Sequence, residues 1–106
     1  MGTGFTAVDV RGYSVTCSSY YWDNHVLKHH PGLVGHENDA KRAVEQRSFI
    51  YASKSKPDCH IYYGSLTGRR PEIKVVVTFD ANHIGTVLSV SECSKRPSEE
   101  KIVWPE

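Results

Sequence analysis

The chain has 106 residues, the usual length of one domain, of which 39% are hydrophobic and 24% are charged. This composition is typical of a folded globular protein and argues against an intrinsically disordered one. The 13 Lys and Arg residues nearly balance the 12 Asp and Glu residues, which leaves a net charge of +1. A strong overall attraction to nucleic acid or to an acidic membrane is therefore excluded, and any polyanion site must be local. We predict a single domain over residues 1–106.

The three cysteines, Cys17, Cys59 and Cys93, are widely spaced and form no CxxC pair. This spacing argues against a disulfide framework or a zinc ribbon and favours reduced thiols in the cytoplasm. No segment approaches the roughly 18 apolar residues of a membrane span, and residues 1–5 lack the features of a signal peptide. We therefore expect a cytoplasmic protein that makes no membrane contact.

The first elements predicted are a strand and a helix. Alternating apolar residues predict the strand over residues 8–17, with a bulge at Gly12, where the alternation changes phase. Ser18 and Ser19 supply N-cap hydroxyls for a helix over about residues 20–30.

Within that helix, Trp22 and Val26 share a stripe that we expect to lie in the core. Pro31 disfavours the α region for the residue before it, so the helix should end at about His29. A second amphipathic helix is predicted over about residues 38–47.

Four further segments are short, apolar and separated by turns, which predicts strands. They are SFIYAS, CHIYYGS, IKVVVTF and IGTVLSV. In CHIYYGS the alternation places Cys59, Ile61 and Tyr63 on one face of the strand, and His60 and Tyr62 on the other. The order of elements predicts an α+β fold with helices on one face of a sheet.

The sequence HVLKHHPG crowds His25, Lys28, His29 and His30 at the predicted helix end. His25 and His29 share one helix face, but no Glu stands between them, so the HExxH zinc pattern is absent and we predict no metal site. Imidazole has an ordinary pKa of about 6.5, so an acid–base pair is one explanation. The other is a solvated helix end, where the helix dipole favours His and Lys.

Cleavage of RNA without a metal needs three kinds of group. A base must take the proton of the 2′-hydroxyl, an acid must protonate the leaving 5′-oxygen, and cations or hydrogen-bond donors must stabilise the crowded phosphorane. Histidines match the first two needs. Lys28 is a candidate for the third, and His29 and the Arg69 and Arg70 pair are candidates for holding substrate phosphates.

Three other residues are candidates for substrate contacts. Tyr62 is a candidate to contact a base, although aromatic residues in strands also serve simply as packing. Thr86 and Ser89 are candidates to contact the phosphate, but they differ in parity along one strand. Both can face the same side only if a bulge intervenes.

The string YWDNHVLKHHPG, followed by a helix, strands, KVVVTFDANHIGTVLSV and a terminal IVW, resembles the phage-associated nucleases of the Barnase-EndoU-colicin-RelE-like superfamily. In that family a pattern close to W, two residues, H-I-L, two residues, H-P opens the domain. The residues in those places are Trp22, His25, Val26, Leu27, His30 and Pro31. Residues 74–79, Thr86 and Trp104 correspond to the family's later strands and aromatic end, so that the resemblance covers about residues 17–104.

The resemblance implies one nuclease-like domain with a helical N-terminal part packed on a curved antiparallel sheet, for which we predict about four to five strands. It implies RNA cleavage of toxin or effector type without a metal or cofactor. His25 and His30 would be acid and base, Lys28 or Arg70 would stabilise the phosphorane, and Thr86 would position the phosphate. RNA is then the expected partner, with an inhibitor or immunity protein as a second one.

Two other hypotheses stay open. Val87 and Leu88 stand where the family often has small and aromatic residues. Together with the low net charge, this departure motivates a non-catalytic module that keeps the nuclease-like fold and binds nucleic acid or protein. In the third hypothesis the histidines form only a pH-sensitive helix end.

Overall fold

The computed structural model describes residues 4–46, 49–93 and 100–105, with the backbone alone described at residues 69–71. The described strands are Phe5–Val8 (β1), Ser14–Cys17 (β2), Ile50–Ser53 (β3), Cys59–Leu66 (β4), Arg69–Phe79 (β5), Gly85–Cys93 (β6) and Glu100–Trp104 (β7). They form one sheet in the order β1-β2-β6-β5-β4-β3-β7. β2 and β6 run parallel, and the other neighbouring strands run antiparallel.

This sheet shows that the predicted fold class was wrong. We expected helices packed on an antiparallel sheet of about four to five strands, whereas the sheet is mixed, has seven strands and dominates the structure. Residues 8–17 are not one bulged strand, because the chain turns between β1 and β2, where Gly12 takes a φ of +90°. Glu100–Trp104, not predicted as a strand, pairs with β3 as the edge strand β7.

The first helical segment is a continuous run of three short helices. An α-helical turn at Ser19–Tyr21 leads into a π-helix at Trp22–Val26 and a last α-helical turn at Leu27–His29. Ser18 caps the run, since its hydroxyl accepts a 3.1 Å hydrogen bond from the Tyr21 amide. The run ends at His29, as Pro31 predicted.

Two side chains anchor this first helical segment on the sheet. Trp22 and Val26 are 0% and 1% exposed, which confirms that they lie in the core. Removing them from water is the main force that holds the segment in place. Their burial also determines which side chains of the segment are left at its surface.

The second helix, Glu37–Glu45, packs Ala40, Ala43 and Val44 on the same face of the sheet. It approaches β4 closely because Gly64 has no side chain. A methyl group added to Gly64 would lie 2.7 Å from the Cβ atom of Ala43, well inside van der Waals contact.

We therefore expect Gly64→Ala to lower the free energy of unfolding by about 1–3 kcal/mol, because the helix must move away from the sheet. Ser65→Ala is the matched control, since Ser65 is the exposed neighbour in the same strand. Urea denaturation of both variants measures the difference. Equal stability of the two variants would contradict the close helix–sheet contact.

Among the residues described, no helix has the length and apolar character that crossing a membrane requires. All three cysteines lie in the described part of the chain, and no disulfide joins them.

Candidate active site

The face of the sheet that the helices leave uncovered carries a groove. Its volume is about 480 Å³, within the range of about 300–1,000 Å³ typical of sites for small molecules. Hydroxyl groups of Ser53, Ser55 and Ser89, ammonium groups of Lys56 and Lys74 and the carboxylate of Glu100 line it together with apolar side chains. The groove therefore combines surface for stacking or packing with donors for an anionic ligand.

A bulge in β6 determines which residues face the groove. Val76 pairs with Ser89, but the next residue of β5, Val77, pairs with Val87, so Leu88 is the extra residue in β6. Beyond the bulge the alternation is restored with shifted parity. Ser89 consequently lies on the same face of the sheet as Thr86. The sequence allowed both residues in one site only if such a bulge separated them.

Tyr21, His25 and His29 form a stack of rings on the first helical segment, called here the histidine stack. The Tyr21 and His25 rings are nearly parallel, with centroids 4.5 Å apart and an interplanar angle of 21°. The His25 and His29 rings meet edge to face at 4.9 Å. Both imidazoles are exposed to solvent, so they are accessible to a substrate.

The histidine stack lies beside the groove. The Tyr21 hydroxyl donates a hydrogen bond to the backbone carbonyl of Leu88, and the same Leu88 lines the groove. The histidine stack and the groove are therefore in contact through Tyr21 and Leu88.

The other residues of the HVLKHHPG sequence surround the end of the helical segment. Lys28 is exposed, and His30 is half-buried where the backbone leaves the helix with φ of −137° and ψ of 71°. The imidazole that contacts His25 is that of His29. Helical spacing therefore identified the neighbouring imidazole, whereas the pairing of His25 with His30 rests on the resemblance.

Tyr62, a predicted base contact, lies in the core and is 2% exposed. Its hydroxyl donates a 2.7 Å hydrogen bond to Asp9 and accepts one of 3.1 Å from Arg11. Burial, followed by the hydrogen bond to Asp9, raises the pKa of Tyr62. Tyr62 is therefore not available to a base, because the helix-covered face of β4 packs against the core.

The side chains of Arg69 and Arg70, the predicted phosphate contacts, lie outside the described part of the structure. The two residues are the first of β5 and directly follow the turn that connects it to β4.

A partly buried ion pair in the groove was not predicted from the sequence. The Lys74 ammonium lies 3.1 Å from the Glu100 carboxylate, whose side chain is 6% exposed. The Tyr63 hydroxyl also donates to that carboxylate. The alternation of residues along β4 and β5 could have indicated that Tyr63 and Lys74 lie on the groove face. Glu100 reaches them only because β7 pairs with β3, and local patterns do not reveal that pairing.

A second polar cluster, around the buried carboxylate of Asp39, attaches the second helix to the turn between β4 and β5. The carboxylate forms hydrogen bonds with His36, Arg42, and the amide and hydroxyl of Thr67. Burial by itself raises the pKa of Asp39, but the hydrogen bonds and the Arg42 charge outweigh it and hold the pKa at about 2.

The Asp39 cluster predicts a specific acid sensitivity. Because the folded-state pKa is lowered, the stabilisation is fully present above about pH 4 and is lost as the pH falls toward 2. We expect the Tm of the wild type to fall more steeply between pH 4 and 2 than the Tm of Asp39→Asn. Asp9 is present in both proteins, so its own titration cancels. Parallel stability curves for the two proteins would contradict this role of Asp39.

No protein-family model, curated protein or solved structure matches this chain. Within the described ranges, no three His, Cys, Asp or Glu side chains are grouped as metal ligands. The histidine stack and the groove are therefore the features of this chain that indicate a function.

Proposed function

We propose that this chain is an endoribonuclease-like domain of toxin or effector type that cleaves RNA by histidine acid–base chemistry without a metal. The observation that carries the proposal is the pair of exposed imidazoles, His25 and His29, in contact beside a groove lined with hydroxyl and ammonium groups. The resemblance to nucleases supports the same activity, with His30 as the alternative partner of His25.

The reaction requires two imidazoles in opposite protonation states. The neutral one takes the proton of the 2′-hydroxyl, and the 2′-oxygen then attacks the phosphorus atom. The protonated one gives its proton to the 5′-oxygen as the bond between phosphorus and that oxygen breaks. The products are a 2′,3′-cyclic phosphate and a 5′-hydroxyl end.

Charged and hydroxyl groups on the first helical segment and on the groove face of the sheet support this reaction. Lys28 precedes His29 and is exposed, so its ammonium group is available to the phosphorane. Thr86 and Ser89 supply hydroxyl donors on the groove face. Lys56 offers the groove a positive charge, whereas the charge of Lys74 is shared with Glu100.

The proposed partner is RNA, held by the groove and cut at the histidine stack. A toxin-type nuclease also needs an inhibitor or immunity protein in the cell that makes it, and the exposed stack is the surface that such a protein would have to cover.

The test is incubation of the purified protein with an RNA of defined sequence in EDTA, followed by analysis of the fragment ends. We expect fragments with 5′-hydroxyl ends, and no cleavage of the same sequence with 2′-O-methyl groups, because that RNA lacks the nucleophile. Intact RNA would refute the activity. Binding of RNA without any cleavage would favour the non-catalytic module instead.

A further inference from the structure

Tyr21 connects the first helical segment to the open edge of β6. β2 pairs with β6 through Thr16 and Thr86, and Leu88 lies beyond this paired part. There the Leu88 carbonyl accepts a hydrogen bond from the Tyr21 hydroxyl. A side chain thus continues the hydrogen bonding of this edge where the neighbouring strand has ended.

The same Tyr21 ring covers one face of the His25 imidazole. Their centroids are 4.5 Å apart and nearly parallel, an arrangement that restricts rotation of the smaller ring. His25 is otherwise exposed, and an exposed side chain changes rotamer within nanoseconds. His29 meets the His25 ring edge to face, whereas Tyr21 supplies the nearly parallel contact that holds the plane of that ring.

We propose that Tyr21 is a positioning residue, which sets the plane of the His25 imidazole beside the groove and is itself held by the Leu88 carbonyl. Its catalytic consequence rests on the proposed function, whereas the positioning itself does not. Displacing a catalytic group by about 1 Å costs as much as 100-fold in rate, so a fixed ring plane favours proton transfer to or from the substrate.

Two substitutions separate the stack from the hydrogen bond. Tyr21→Leu removes both and keeps an apolar side chain for packing, whereas Tyr21→Phe removes the hydroxyl alone. Tyr20→Leu is the matched control, because Tyr20 is the adjacent residue and is 76% exposed.

The first readout is NMR of the free protein. A stacked aromatic ring shifts the His25 ring protons, so we expect this shift to disappear in Tyr21→Leu, to persist in reduced form in Tyr21→Phe, and to stay unchanged in Tyr20→Leu. The Leu88 carbonyl resonance should move in both Tyr21 variants. His25 resonances in Tyr21→Leu that match the wild type would overturn the proposal. If Tyr21→Leu does not fold, unchanged Leu88 and His25 resonances in Tyr21→Phe would overturn it.

The second readout is RNA cleavage. We expect kcat to fall about 10- to 100-fold in Tyr21→Leu with little change in KM. The kcat of Tyr21→Phe should lie between those of the wild type and Tyr21→Leu. A rise in KM alone would overturn the positioning role. If the wild type shows no cleavage while the NMR results hold, the proposed function fails and the positioning of His25 by Tyr21 stands.

Discussion

Replacing His25 with glutamine is expected to lower the rate of RNA cleavage by at least about 100-fold, the usual contribution of a general acid or base. Glutamine keeps a polar side chain of similar length but does not exchange protons near neutral pH. Because His25 is exposed, the fold should be retained, which a thermal unfolding curve checks. His83→Asn is the matched control. His83 is also exposed, and its φ of +60° is one that asparagine tolerates.

His29→Gln and His30→Gln then identify the partner of His25. The contact between the His25 and His29 rings predicts the larger loss at His29. If the two imidazoles act as a unit, the double variant of His25 and His29 should lose little more than either single variant. A large loss at His30 with none at His29 would contradict this pairing and support the one that the resemblance implies. A His25→Gln variant as active as the control would refute the acid–base role altogether.

Replacing Asp9 with alanine is expected to lower the free energy of unfolding by about 3–5 kcal/mol, the usual cost of breaking a buried ion pair. Its side chain is fully buried against the Arg11 guanidinium, 2.7 Å away. It also accepts hydrogen bonds from the Arg11 and Tyr13 amides and from the Tyr62 hydroxyl. The substitution leaves each of these donors without its partner in a largely buried region.

Burial by itself raises the pKa of Asp9, but the hydrogen bonds and the Arg11 charge outweigh it, so the pKa is lowered. Asp9 is thus ionised in the folded protein at neutral pH, and its replacement removes a charge that Arg11 needs. Asp58→Ala is the control, since Asp58 is exposed and such substitutions usually change stability by less than about 0.5 kcal/mol. Urea denaturation that shows similar losses for both variants would contradict the structural role of Asp9.

Local patterns in the sequence predicted the elements whose residues contact near neighbours in the chain. The helix end at Pro31, the Ser18 cap and the buried positions of Trp22 and Val26 follow from spacing and backbone restriction alone. The two faces of β4 also follow from alternation. These features need no knowledge of which strands pair.

The predictions that were wrong concern elements that depend on contacts between distant parts of the chain. The apolar alternation on both sides of Gly12 is the same for one bulged strand as for a hairpin. The hairpin is selected by Asp9, which binds the Tyr13 amide across the turn and Tyr62 from β4. β7 exists because it pairs with β3. Ile102, Val103 and Trp104 favour a strand locally, but the partner strand cannot be identified from this segment alone.

The candidate site was predictable in its residue types and not in its arrangement. The crowding of His25 and His29 was visible in the sequence, and so was the rule that only a bulge allows Thr86 and Ser89 to share a face. The bulge at Leu88 and the hydrogen bond from Tyr21 to its carbonyl required the structure.

The pH dependence of wild-type RNA cleavage in EDTA is the decisive test of catalysis by two histidines. A reaction run by two imidazoles needs one neutral and one protonated, so kcat/KM should pass through a maximum near neutrality and fall on both sides. Measurement from pH 5 to 9 stays above the range in which Asp39 takes up a proton. We expect a bell-shaped profile that loses one limb in His29→Gln. A rate that rises steadily to pH 9, unchanged by that substitution, would contradict it.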